Sequence, residues 1–65
     1  MQSTAYRTIT GQTYEARESL RRAGCRWDAA RKAWVIPGEL PRGQQRAIES
    51  RVYQIRRDYP GIMID

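Results

Sequence analysis

The sequence predicts a compact α+β domain ordered strand, helix, strand, strand, helix, with a short last strand as an option at the C-terminus. Three observations predict it. A hairpin pattern with two tryptophans spans residues 25–36. Two stretches repeat apolar residues at helical spacing, one on each side of that hairpin. A β-branched and aromatic run precedes them near the N-terminus. Two helices packed on one face of a small sheet built around the hairpin bury all of these apolar faces at once.

Residues 1–4 are polar and expected to fray. Ala5-Tyr6-Arg7-Thr8-Ile9-Thr10 reads as the first strand, because β-branched and aromatic residues suit a pleated surface. Alternation divides it into Ala5, Arg7 and Ile9 on one face and Tyr6, Thr8 and Thr10 on the other. The facing is open on pattern alone. Ile9 inward is favoured, with Arg7 laying its stem along an edge.

Gly11-Gln12 breaks the strand, and Thr13 is a candidate N-cap for a helix running to about Ala23. Ala16, Leu20 and Ala23 recur at i, i+4 and i+7 on one face. Glu15 and Glu18 come early in that helix, and Arg21 and Arg22 late, an order that complements the helix dipole. Gly24 follows where a left-handed residue is expected to end the helix.

The hairpin itself reads Cys25-Arg26-Trp27-Asp28, a polar loop, then Ala33-Trp34-Val35-Ile36. If Asp28 and Ala33 close the loop, Trp27 lies opposite Trp34. Cys25, Trp27, Trp34 and Ile36 then share one face. Both indoles are expected to point into the core, since little else in the chain is large and apolar. The Asp28 carboxylate is short enough to accept from backbone N–H groups two or three residues on. Arg31 and Lys32 are left at the tip.

Pro37 to Gly43 is a loop, punctuated twice by Pro and Gly. A second helix is expected from about Gln44 to Asp58, with Ile48, Val52, Ile55 and Tyr59 as its apolar stripe. Pro60-Gly61 ends it. Ile62-Met63-Ile64 forms either a last strand or an apolar tail docked on the core or on a second chain.

Composition narrows the function. Sixty-five residues make one domain, 1–65. A chain of this size buries only about 60% of its unfolded surface, so the core is marginal. One cysteine and no histidine allow neither an intrachain disulfide nor an ordinary zinc site, and no cofactor is expected. No apolar run approaches a membrane span, and the polar N-terminus shows no signal-peptide core, so a reduced cytoplasmic setting is expected. With no His, no Gly-rich phosphate loop and no spaced carboxylate pair, catalysis is not expected either. Cys25 reads as a small buried hydrophobe rather than a reactive thiol.

The charge is the informative feature. Twelve Lys+Arg stand against seven Asp+Glu, for a net charge of +5. All but Lys32 of the basic residues are Arg, whose planar, permanently charged fork matches phosphate. A polyanion partner follows. Arg26, Arg31 and Lys32 are the principal candidate contacts, on the open face and tip of the hairpin. Tyr6 is expected beside them with Arg7 adjacent, and Arg17 and Arg21 flank from the first helix. Arg46, Arg56 and Arg57 could widen the field. Glu18 lies three and four positions before Arg21 and Arg22, so local ion pairing is the simpler account of the charges on this helix.

The stretch Gly24-Cys25-Arg26-Trp27-Asp28-Ala29-Ala30-Arg31-Lys32-Ala33-Trp34-Val35-Ile36-Pro37 also resembles the signature of small bacterial and phage domains of unknown function of the DUF5710 type. Thr10-Gly11-Gln12-Thr13-Tyr14, with Arg17 and Leu20, is similar to phage relatives of that type. More distantly, the hairpin resembles the HARP domain of annealing helicases. The likeness covers roughly residues 8–37 and implies the fold more strongly than the function. The helicase likeness implies association with DNA, which is favoured over RNA. Low sequence specificity is expected because no Asn or Gln recognition cluster is evident on an exposed helix. The competing expectation is a protein-interaction module: a homodimer, an adaptor or an inhibitor of a host protein. It rests on the apolar tail and on a bare edge strand.

Overall fold

A computed structural model describes residues 5–65; the fraying expected of residues 1–4 lies outside them. The elements are β1 (Ala5–Gly11), α1 (Arg17–Ala23), β2 (Arg26–Asp28), β3 (Ala33–Pro37), α2 (Arg42–Asp58) and β4 (Ile62–Ile64). The strands form one antiparallel sheet in the order β2-β3-β1-β4. This is the predicted α+β class, with the C-terminal segment settled as a strand.

The register aligns Trp27, Trp34, Ile9 and Ile64 in one row across the whole sheet. That face carries the core. Ile9, Cys25, Ile36 and Ile62 cluster there with Ala16 and Leu20 from the α1 region and with Ile48 and Val52 from α2. Ile55 and Tyr59 are only partly buried but pack against the same cluster. The helical stripe of α2 is therefore as expected. It extends one turn further back than the apolar residues alone show, to buried Gln45. That amide donates to Pro37 O at 3.2 Å and Gly38 O at 2.9 Å, tying the start of α2 to the end of β3. One buried side-chain amide thus serves two backbone carbonyls where β3 ends.

α1 begins later than its sequence suggests. Thr13 does not cap it; the cap position is Ala16, with no side-chain bond. The chain leaving β1 must first turn before Ala16 and Leu20 can reach the core. Gly11, at φ 87°, starts that turn. Thr13 N–H then donates to Gly11 O at 2.9 Å, and Ala16 N–H to Thr13 O at 3.1 Å. The expected helix end holds: Gly24 is left-handed at φ 111°, and its N–H donates to Arg21 O at 3.1 Å. α2 starts two residues early, at Arg42. Pro41 bounds it, with its carbonyl accepting from Gln44 and Gln45 N–H at 3.0 Å each.

β1 departs from simple alternation. Its pairing with β3 shifts between Ala5 and Arg7, a bulge that gives Tyr6 no partner. This overturns the placement of Tyr6 on the open face beside Arg26 and Val35. Tyr6 instead packs against the core cluster, and its hydroxyl reaches Glu49 on α2.

Candidate nucleic-acid interface

The hairpin loop is built as its sequence predicts. Asp28 Oδ1 accepts from Ala30 N–H at 3.0 Å and from Arg31 N–H at 3.3 Å. Lys32 closes the loop at φ 53°, a left-handed conformation unusual for a residue with a long side chain. Arg31 and Lys32 are exposed at the tip, as expected.

The surrounding charges are less simple. Arg31 Nη1 lies 3.5 Å from Asp28 Oδ2, and Arg26 Nη1 lies 3.5 Å from Glu39 Oε2. The shallow hollow of about 240 Å3 lined by Arg26, Trp27, Arg31 and Val35 therefore also contains Asp28 and Glu39. The small basic surface expected on the open face is instead one of mixed sign. Exposed pairs of this kind contribute only about 0–1 kcal/mol, so an incoming phosphate can take either guanidinium from its carboxylate. Lys32 has no carboxylate within 4 Å among the described residues.

Arg7 and Tyr6 serve the fold. Arg7 Nε donates to Glu49 Oε2 at 2.8 Å, and the Tyr6 hydroxyl donates to Glu49 Oε1 at 3.1 Å. The Arg7 guanidinium sits 5.2 Å from the Tyr6 ring centre. The hydrogen bond to Glu49, and then its charge, raise the Arg7 pKa further. One carboxylate thus clasps β1 to α2 and occupies both of these predicted contacts.

On α1, Arg21 pairs with Glu18 at 2.8 Å, the local arrangement its spacing suggested. Arg17 does not join it. Its guanidinium lies 3.9 Å from the centre of the Tyr14 ring, and Nη1 donates to Tyr14 O at 2.6 Å. Arg17 and Arg21 are therefore not a matched pair of free phosphate grips.

The largest correction concerns Trp27. It does face the helix side with Trp34, edge to face, with ring centres 5.8 Å apart at 68°. Yet it is 52% exposed, while Trp34 is partly buried against the core. β2 is an edge strand of three residues, and α1 spans only seven, so this corner is left open. An apolar groove of about 360 Å3 results, lined by Thr13, Tyr14, Arg17, Trp27 and Trp34. Tyr14, 74% exposed, was missed from sequence. Its spacing of three from Arg17 was the available signal.

Trp27 lines both hollows. Arg26 and Arg31 belong to one, Arg17 to the other. Four predicted contacts thus gather near one exposed indole or at the adjoining loop tip: Arg17, Arg26, Arg31 and Lys32.

A second cationic strip was only partly foreseen. Arg42, Arg46, Tyr53 and Arg57 recur at i, i+4, i+11 and i+15 on one flank of α2, about 22 Å from end to end at the helical rise. Glu49 interrupts the strip, but Arg7 neutralises it. Arg56, Arg57, Tyr53 and Pro60 line a shallow hollow at its end.

Among the described residues no helix is long and apolar enough to cross a membrane. Comparison of the chain with family models, with curated proteins and with solved structures finds no match.

Proposed function

We propose that this domain is a non-enzymatic nucleic-acid-binding module that contacts backbone phosphates. One observation carries it. Internal ion pairing engages only Arg7, Arg21, Arg26 and Arg31, the last two in displaceable pairs at 3.5 Å, leaving Arg17, Arg22, Lys32, Arg42, Arg46, Arg51, Arg56 and Arg57 exposed with no carboxylate within 4 Å among the described residues. The cationic excess is thus at the surface, where it attracts a polyanion. Arg17, Arg26, Arg31 and Lys32 form the principal contact region, and the α2 strip is a second. DNA is favoured over RNA by the hairpin's resemblance to helicase-associated domains, and a cytoplasmic setting suits the lone buried thiol.

Binding of this kind is electrostatic and weakly sequence-specific, since no Asn or Gln cluster is presented at either region. Anisotropy titrations of labelled oligonucleotides over a range of salt test it. Four phosphate contacts give a log–log slope of about −3 to −4. A flat salt dependence, or no binding at low salt, rejects the reading.

A second reading is a homodimer formed through the β4 edge. Met63, 63% exposed on that edge strand, favours it. Light scattering decides: a dimer indifferent to oligonucleotides supports this reading over the first.

A further inference from the structure

We propose that the groove between Tyr14 and Trp27 receives one unpaired base of a single-stranded nucleic acid, with Arg17 taking the adjacent phosphate. The proposal rests on the nucleic-acid reading above and specifies the strandedness of the target.

The groove joins two chemistries that a nucleotide also joins. Its walls are aromatic: Tyr14 and Trp27 stand 74% and 52% exposed, on the turn before α1 and on β2. Leaving two large rings in water costs burial free energy that a flat apolar ligand recovers. Trp34 meets Trp27 edge to face, so each indole keeps a ring face unstacked by the other. The one charge in the lining is Arg17. It is held over Tyr14 by the ring and by the Tyr14 carbonyl, and its remaining N–H donors have no carboxylate within 4 Å among the described residues. A flat apolar body with an anion beside it complements this arrangement. Volume agrees: about 360 Å3 lies at the small end of the range for ligand sites.

Single-strandedness follows from the stacking. In a duplex the faces of the bases are covered by their neighbours. An aromatic side chain can take a face only where a base is splayed out. Arg26 and Arg31, in the hollow on the other side of Trp27, are placed to hold the next phosphates of such a strand.

The test uses the full chain with a labelled homopolymer oligonucleotide, the same oligonucleotide paired with its complement, and an abasic sugar-phosphate strand of equal length. Anisotropy gives the affinities and intrinsic tryptophan emission reports stacking. The single strand is expected to quench the emission. It should bind more tightly than the abasic strand by about 5- to 150-fold, the range measured for stacking one base on an aromatic side chain. Tyr14→Ala and Trp27→Ala should remove that advantage of the single strand over the abasic strand, and Trp27→Phe should restore part of it. Tyr14 is exposed enough that its removal leaves the fold intact, so the result does not depend on the tryptophan variant. If all three ligands bind alike and neither alanine variant matters, the groove proposal falls while the electrostatic reading stands. If none of them binds at low salt, the nucleic-acid reading itself falls. Displacement of Trp27 emission by a proline-rich peptide, with oligonucleotides inert, would assign the groove to a protein ligand and overturn the proposal.

Discussion

Trp27 lies directly across the hairpin from Trp34, yet the two indoles have different surroundings. Trp34, on an inner strand, packs against the core; Trp27, on an edge strand, stands half in water. One hydrophobic pair is thereby shared between stability and surface chemistry.

The two tryptophans should consequently separate on truncation. Trp34→Ala is expected to cost about 3–5 kcal/mol, the scale for losing an aromatic packed on a core. In a chain this small that is enough to unfold most molecules. Trp27→Ala is expected to cost less, about 1–3 kcal/mol, for the edge-to-face pair and the buried half of the ring. Urea melts of the two variants measure the difference, and equal losses would contradict the observed burial.

Arg26→Gln combined with Arg31→Gln should weaken oligonucleotide binding at every sequence tested and make the salt slope shallower by about 2. Thermal stability should barely move, because both side chains lose only exposed ion pairs at 3.5 Å. Arg7→Gln is the contrasting variant: it breaks the clasp on Glu49, so its effect should appear in the melt rather than in the slope.

Two glycines predict opposite outcomes. Gly11→Ala forces a side chain onto a left-handed residue at φ 87° and drives its Cβ into the Gly61 carbonyl. A loss of about 2 kcal/mol or more is expected, since neither backbone segment can give way cheaply. Gly43→Ala, in the first turn of α2 with nothing within 4 Å of the new Cβ, should stabilise by about 0.5–1 kcal/mol. Thermal melts check both.

Cys25 gives a pH dependence. Burial pushes its thiol up to about 11, above its ordinary value of 9.0. In the unfolded chain the thiol ionises first as pH rises, so ionisation stabilises the unfolded state before it can stabilise the folded one. The contribution of Cys25 is complete below pH ~9 and is lost as pH rises towards ~11. Cys25→Ala should therefore lose less stability between those limits than the parent does. Urea melts across the range measure it, and parallel curves would show that the thiol is not shielded.

What could be read in the sequence was whatever a local pattern encodes. The Asp28 turn, the Gly24 helix end and the stripe of Ile48 and Val52 all depend on neighbours a few residues apart, and each is present. The bulge at Tyr6 is set by pairing with β3, and the Glu49 clasp joins residues more than forty positions apart; nothing near Tyr6 announces either. The exposure of Trp27 depends on strand order, which places β2 at an edge. For the candidate site, the arginines were visible but their bookkeeping was not. Asp28 and Glu39 reach Arg31 and Arg26 only once the hairpin and its following loop have folded.

The strand order also bears on how the chain acquires its shape. β1 is made first but lies between β3 and β4, so both of its neighbours are synthesised later, the second of them last. The β2–β3 hairpin can close by itself within microseconds. β1 must wait as an unpaired ribbon until distant segments arrive, which makes its docking the slow, entropy-limited event. Folding on the ribosome should therefore be abrupt and late, with the sheet completed only when Ile62–Ile64 has cleared the exit tunnel.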